Sequence, residues 1–177
     1  KVDVQDFNPD AQRSVLWTQK QLTPANLDYL SDLKLSLVKD QFTLVHGSPR
    51  EPIWEYILYP PVARLNFSHF DTSYCFVGHT HVPVLFRLHE RDGQTVCEAE
   101  PLPEDGPRPL GEGRLIINPG SVGQPRDGDA RASYVILDTE ALTLEHRRVS
   151  YDIGKIQQQM EEVDLPQRNI MRLSYGW

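Results

Sequence analysis

Three short apolar runs, QFTLV (41–45), SYCFVG (73–78) and RLIIN (114–118), each stop abruptly at a polar loop. Runs this short and this continuously apolar read as strands buried on both faces, the kind found in parallel sheets. The loops that follow them are His46-Gly47, His79-Thr80-His81 and Pro119-Gly120-Ser121. Open α/β sheets place their ligand sites where such strands end. The parallel partners these strands would need are few, so the chain reads as incomplete at its amino end.

The remaining segments supply helices and antiparallel strands. Asn8-Pro9 and Thr23-Pro24 each pair a good N-cap with proline at the first helical position. Apolar residues follow both at near-helical spacing. Residues 50–70, bulky and interrupted by Pro52, Pro60 and Pro61, read as short helices and loop capping one end of a sheet. VPVLFRLHE (82–90) alternates like a half-exposed strand, and TVCEAE (95–100) would pair with it across Arg91-Asp92-Gly93. The stretch 101–113 concentrates proline, glycine and acid and is expected to be a surface loop. ASYVILDTE and LTLEHRRVSY would form a pair turning near Glu140–Ala141, and Asp152 would cap a last helix, 153–163. Together these predict an α/β sandwich, with helices covering the outer faces of packed sheets.

With 177 residues, the chain is one domain or the larger piece of one. A net charge of −7 argues against a broad basic surface for nucleic acid. No apolar run approaches the ~20 residues needed to span a bilayer. The start, KVDVQDFNPDAQR, lacks the apolar stretch of a signal peptide. Cys75 and Cys97 are too far apart for a CxxC motif and read as reduced thiols of a cytoplasmic protein.

Of the six histidines, His46, His79 and His81 follow strand ends. In an extended HxH segment the two imidazoles project from the same side, so one turn would deliver two nitrogen ligands to one pocket. Gly47 and Gly78 would let the backbone turn sharply beside them. His69, His89 and His146 lack this placement and read as surface or packing residues.

The segments VHGSP, FVGHTHVP and IINPGSVGQPRDGDARASYVIL resemble, in order and spacing, the second half of bacterial calcineurin-like phosphoesterases, most closely their small phosphodiesterases. GHTH and INPGSVGQPR are the most specific elements. The resemblance implies a two-sheet α/β sandwich of the metallophosphoesterase type, with residues 1–177 forming the carboxy-terminal portion of a single domain whose amino-terminal strands are missing. It implies two divalent transition metal ions (Mn, Fe, Ni or Zn), His46 and His79 binding one and His81 the other. Asn118, Gly120 and Ser121 would form the turn beside the site without ligating metal, and Arg126 would reach a substrate phosphate. The implied reaction is hydrolysis of a small phosphate ester, mono- or diester, by a hydroxide bridging the ions.

The family's first half carries Asp-x-His, Gly-Asp and Gly-Asn-His-Asp motifs, and none of these stands in this sequence. Three neutral imidazoles bring no negative charge to offset the repulsion of two dications ~4 Å apart. No residue here is assigned as certainly catalytic, and the chain alone is expected to be inactive. An upstream segment or a second chain would complete the site. Two other readings stand beside this one. A non-catalytic interaction domain would use the same fold as a scaffold. A mononuclear zinc hydrolase would bring His46, His79 and His81 to one ion.

Overall fold

A computed structural model of the chain describes residues 2–104 and 106–177. Lys1 and Asp105, the latter inside the expected 101–113 loop, lie outside the described residues. Both predicted N-caps are in place. The Asn8 side chain accepts from the Ala11 amide and Thr23 from the Asn26 amide, so α1 (Pro9–Gln21) and α2 (Pro24–Ser31) begin at their prolines. There follow β1 (Ser36–Lys39), β2 (Phe42–Val45), α3 (Pro60–Asn66), β3 (Tyr74–Phe76), β4 (Val84–Arg91) and β5 (Gln94–Glu100). Then come β6 (Arg108–Pro109), β7 (Arg114–Asn118), β8 (Ala132–Asp138), β9 (Thr143–Val149), α4 (Ile153–Glu162) and α5 (Gln167–Tyr175).

Two compact units divide these elements: α1, α2, α4 and α5 lie in one, and Leu35–Tyr151 with Gly176–Trp177 form the other. In the helical unit Asp152 caps α4 through the Lys155 amide, as predicted. Helix α5 is not foreseen by the sequence reading. Gln157 of α4 donates to the Ile170 carbonyl at 2.9 Å, and Asn169 of α5 donates to the Ser14 hydroxyl of α1 at 2.9 Å. Polar side chains thus tie these helices together where apolar surface is limited.

The second unit holds two sheets. The larger runs in the order β1-β2-β3-β7-β4-β5 and the smaller in the order β6-β9-β8. Strands β2, β3 and β7 are parallel, with Thr43 opposite Cys75 and Cys75 opposite Ile116. On their two sides, β1 and the β4–β5 hairpin run antiparallel. The hairpin turns at Asp92 (φ 53°) and Gly93 (φ 73°), the left-handed pair that a two-residue turn requires. Strand β1 is a further addition to the predicted elements. All four of its residues are exposed, so it has no burial pattern to read.

Side chains alternate across the large sheet and build a core on each face. On one face Val45, Cys75, Phe86 and Ile116 pack with Ile57, Ala63, Phe67 and Phe70. The segment 50–70, expected to cap one end of the sheet, also lies over a face of it, because Ile57, Ala63, Phe67 and Phe70 pack on Val45, Cys75 and Ile116. On the other face Phe42, Tyr74, Leu85, Leu115 and Ile117 pack with Leu144 of β9. The 101–113 stretch departs from the expected surface loop as well. Leu102 and Leu110 are buried in this second core, and Arg108–Pro109 forms the short edge strand β6, where proline's missing donor is tolerated. The architecture is the two-sheet α/β sandwich that the sequence predicts.

Phe86 is fully buried at the centre of the first face. Phe86→Ala is expected to lower unfolding free energy by about 3–5 kcal/mol, read from the denaturant midpoint at unchanged slope. A loss below ~1 kcal/mol would show that this face does not hold the sheet together.

Candidate metal centre

Because β2, β3 and β7 are parallel neighbours, their carboxyl ends lie side by side, with strands ~4.8 Å apart. His46 directly follows β2, His79 follows β3 by three residues, and Asn118 ends β7. The ladder continues past the strand ends. The Val77 amide donates to the Ile117 carbonyl at 2.9 Å, and the Gly78 amide to the His46 carbonyl at 2.8 Å. This backbone framework brings His46 Nε2 and His79 Nδ1 to 3.0 Å, with ring centroids 4.8 Å apart.

The His79-Thr80-His81 segment is not extended, contrary to the sequence expectation. His79 and His81 both have φ of 61°, in the left-handed region that non-glycine residues rarely enter. Such residues cost on the order of 1 kcal/mol each and persist where their surroundings over-determine them. Here the Thr80 amide donates to the Gly78 carbonyl at 2.6 Å. The fully buried Asn118 donates from Nδ2 to the Gly78 carbonyl and to Thr80 Oγ1, both at 2.8 Å, and its Oδ1 accepts from the Gly120 amide at 3.0 Å. One amide side chain thus joins the turn after β3 to the turn after β7. Gly47 and Gly78, expected to let the backbone turn sharply, stay outside the positive-φ region; Gly47 is required because a Cβ there would stand 2.9 Å from the Glu51 carbonyl oxygen.

His81 is hydrogen-bonded to the Asn118–Arg126 turn. Its Nδ1 lies 2.7 Å from the Gln124 carbonyl, which only accepts, so Nδ1 carries a proton and, in the neutral ring, the lone pair is on Nε2. Ser121 shapes this turn by accepting from the Gln124 amide at 2.9 Å and the Gly123 amide at 3.2 Å. The Arg126 amide closes it on the His81 carbonyl at 3.2 Å, and the Arg126 guanidinium bonds Gln124 Oε1 at 3.0 Å.

Three residues that sequence reasoning passes over also shape the site. The Tyr56 ring lies 4.2 Å from the His79 ring, centroid to centroid, and a hydrogen bond joins His79 to the Trp54 backbone. Between them Glu55 anchors the loop. It accepts from Ser48 Oγ at 2.6 Å, from Asn66 Nδ2 at 2.7 Å and from the Arg50 guanidinium. Partial burial opposes ionisation of Glu55, but these three donors hold its carboxyl down to about 2. Glutamate at 55 and its partners at 48, 50 and 66 have no fixed spacing that a sequence pattern could expose.

The electrostatics keep the His46 and His79 imidazoles neutral. Burial is the main cause that pushes the His79 pKa down to about 4, aided by the fields of His46, His81 and Arg126 and opposed by the Trp54 hydrogen bond. Burial also lowers His46. Neutral imidazole is the metal-binding form. His46 Nε2 and His79 Nδ1 stand at hydrogen-bond distance, so one ring donates its N–H to the other, and an ion bound by both nitrogens would take the place of that proton. The His46–His79 pair and the proton-locked His81 therefore fit metal ligation. Among the described residues, no three histidine, cysteine, aspartate or glutamate side chains gather about one point. His69 bonds locally to Ser68 and Leu65, and His89 lies beside Glu98; His146 is buried against Ser133.

A model of the calcineurin-like phosphoesterase superfamily domain matches residues 8–142. An uncharacterized protein of Methanocaldococcus jannaschii is 34% identical over 175 residues, covering 96% of this chain and 68% of its own length. The crystal structure of a metallophosphoesterase from Sphaerobacter thermophilus superposes with a TM-score of 0.85 at 45% identity, over 96% of this chain and 70% of that one. A hypothetical protein from Pyrococcus horikoshii has the same fold, with a TM-score of 0.70 at 20% identity, over 98% of this chain and 64% of that one.

The lowered His79 value has a definite sign. Folding disfavours its protonated form, so its penalty is full below about 4 and vanishes as pH rises past the unfolded 6.5. In the metal-free chain the His79 ring is expected to titrate by NMR near about 4, and His46→Ala should move that midpoint up. A midpoint at 6.5 or above would contradict the placement described.

Proposed function

The chain belongs to the calcineurin-like phosphoesterase superfamily, and from that premise we propose that it carries part of the dinuclear metal site of a hydrolase acting on a small phosphate ester. The observation behind this reading is the 3.0 Å approach of two imidazole nitrogens on rings held neutral by their surroundings. His46 and His79 take one ion through Nε2 and Nδ1, and His81 takes the other through Nε2. The ions are Mn, Fe, Ni or Zn, for which imidazole is a suitable ligand. When bound, they supply Lewis-acid polarisation of the phosphoryl group and an activated water at neutral pH.

The chain's own residues hold and orient. Asn118, Gly120 and Ser121 fix the two turns and bind no metal. Arg126 brings a guanidinium close enough to His79 to depress its protonation, and its role in this reading is to donate to a substrate phosphate. Three neutral imidazoles offset none of the charge on two dications, so carboxylate ligands and the proton donor to the leaving group come from an upstream segment or a second chain. Alone, this chain is inactive. Cys75 and Cys97 are free thiols, in keeping with a cytoplasmic setting. Among the described residues no helix is long and apolar enough to cross a membrane.

Elemental analysis after incubation with manganese and desalting tests the partial site. Fewer than one ion per chain is expected, falling further in His79→Ala and unchanged in His69→Ala. Two ions per chain would overturn the partial site, and equal content in His79→Ala would overturn the ligand assignment. In an active holoenzyme, His79→Ala should reduce hydrolysis of a chromogenic phosphate diester by more than ~100-fold.

A further inference from the structure

Behind the turn that holds His81 lies a buried polar pair with no part in the function described so far. Ser133 of β8 and His146 of β9 are diagonal neighbours in the small sheet, Ser133 standing opposite Arg148 and His146 opposite Val135; each is almost wholly buried, with Ser133 Oγ 2.7 Å from His146 Nε2. Ser133 Oγ is also 2.7 Å from the Pro119 carbonyl. A hydroxyl has one proton and a carbonyl only accepts, so Ser133 donates to Pro119. His146 must then donate its Nε2–H to Ser133. The Ser133 amide makes a second bond to the same turn, to the Ser121 carbonyl at 2.9 Å.

This arrangement has a cost that packing does not explain. With its proton on Nε2, His146 leaves Nδ1 buried without a hydrogen-bond partner among the described residues, 3.9 Å from a Glu104 oxygen. An apolar side chain of similar volume would avoid that cost. What it would lose is the one donor that fixes the Ser133 hydroxyl toward Pro119. Gly120 depends on the same hydroxyl. It sits at φ 84°, and a Cβ there would stand 2.4 Å from Ser133 Oγ, so the turn and the serine are packed as one piece.

We propose that Ser133 and His146 are positioning residues for the metal ligands: His146 orients the Ser133 hydroxyl, Ser133 pins the 119–121 turn, and that turn holds the His79-Thr80-His81 segment through Asn118 and Gln124. The last step uses contacts already given, Asn118 to Gly78 and Thr80, and Gln124 to His81. The proposal rests on the reading of His46, His79 and His81 as ligands. Neither Ser133 nor His146 touches a metal or substrate.

The test compares Ser133→Ala, His146→Leu and His146→Gln with the wild-type chain, using amide hydrogen exchange and Co²⁺ titration. Glutamine keeps an N–H donor at position 146, whereas leucine does not. In Ser133→Ala and His146→Leu, exchange at Thr80, Gly120 and Arg126 should rise about tenfold, with the β4–β5 hairpin unchanged. Co²⁺ should bind about tenfold more weakly in both, within the range of outer-shell changes, and His146→Gln should stay within about threefold of wild type. Unchanged exchange at Thr80 and Gly120 would overturn the relay whatever the metal does. Faster exchange with wild-type Co²⁺ affinity, in a protein whose His79→Ala variant loses Co²⁺, would overturn its link to the ligands. If His79→Ala binds Co²⁺ as wild type does, the metal reading has failed, and with it the claim that the relay serves metal ligands.

Discussion

The parallel register of β2, β3 and β7 is the constraint from which the site follows. Strands that run the same way, side by side, end on the same edge of the sheet. Whatever residues come next are therefore gathered there without any long-range search. Here those residues are His46, the His79-Thr80-His81 turn and the Asn118–Ser121 turn. The fully buried side chains of Cys75, Phe86, Leu115, Ile116 and Ile117 hold this register from both faces. A slip of one residue in β7 would send Ile116 to the wrong face and carry Asn118 away from Gly78.

Within that frame, the local conformations are unfavourable by themselves. Two histidines in the left-handed region would not persist on an isolated loop. They persist because Asn118 satisfies Gly78 and Thr80 from below, Gln124 holds His81 from the side, and the Glu55-anchored loop places Tyr56 against His79. The cost is local and the support is distributed, which is the pattern expected of a preorganised ligand set. Neutral His46 and His79 rings beside a guanidinium suit the nitrogen-donor part of a metal site. They also leave the demand for negative charge to be met by other residues.

Much of this was legible in the sequence, for identifiable reasons. The apolar runs 41–45, 73–78 and 114–118 stop sharply, so the strand ends and the residues just after them could be named. Asn8-Pro9, Thr23-Pro24 and Asp92-Gly93 carry backbone chemistry that permits few alternatives. Strand β1 was not legible, because Ser36–Lys39 is exposed throughout and takes its structure from pairing with β2. The burial of Leu102 and Leu110 was hidden by the prolines and glycines around them. The left-handed His79 and His81 had no signal, since only glycine announces positive φ in a sequence. The Glu55 clamp and the Ser133–His146 pair join residues whose separations in the chain follow no rule.

The central claim is that His46 and His79 share one metal ion while His81 binds another. Anomalous diffraction from crystals of the holoenzyme loaded with manganese tests it most directly. Two peaks are expected, one within bonding distance of His46 Nε2 and His79 Nδ1 and a second beside His81 Nε2. A single peak ligated by all three imidazoles, or peaks remote from these residues, would contradict it.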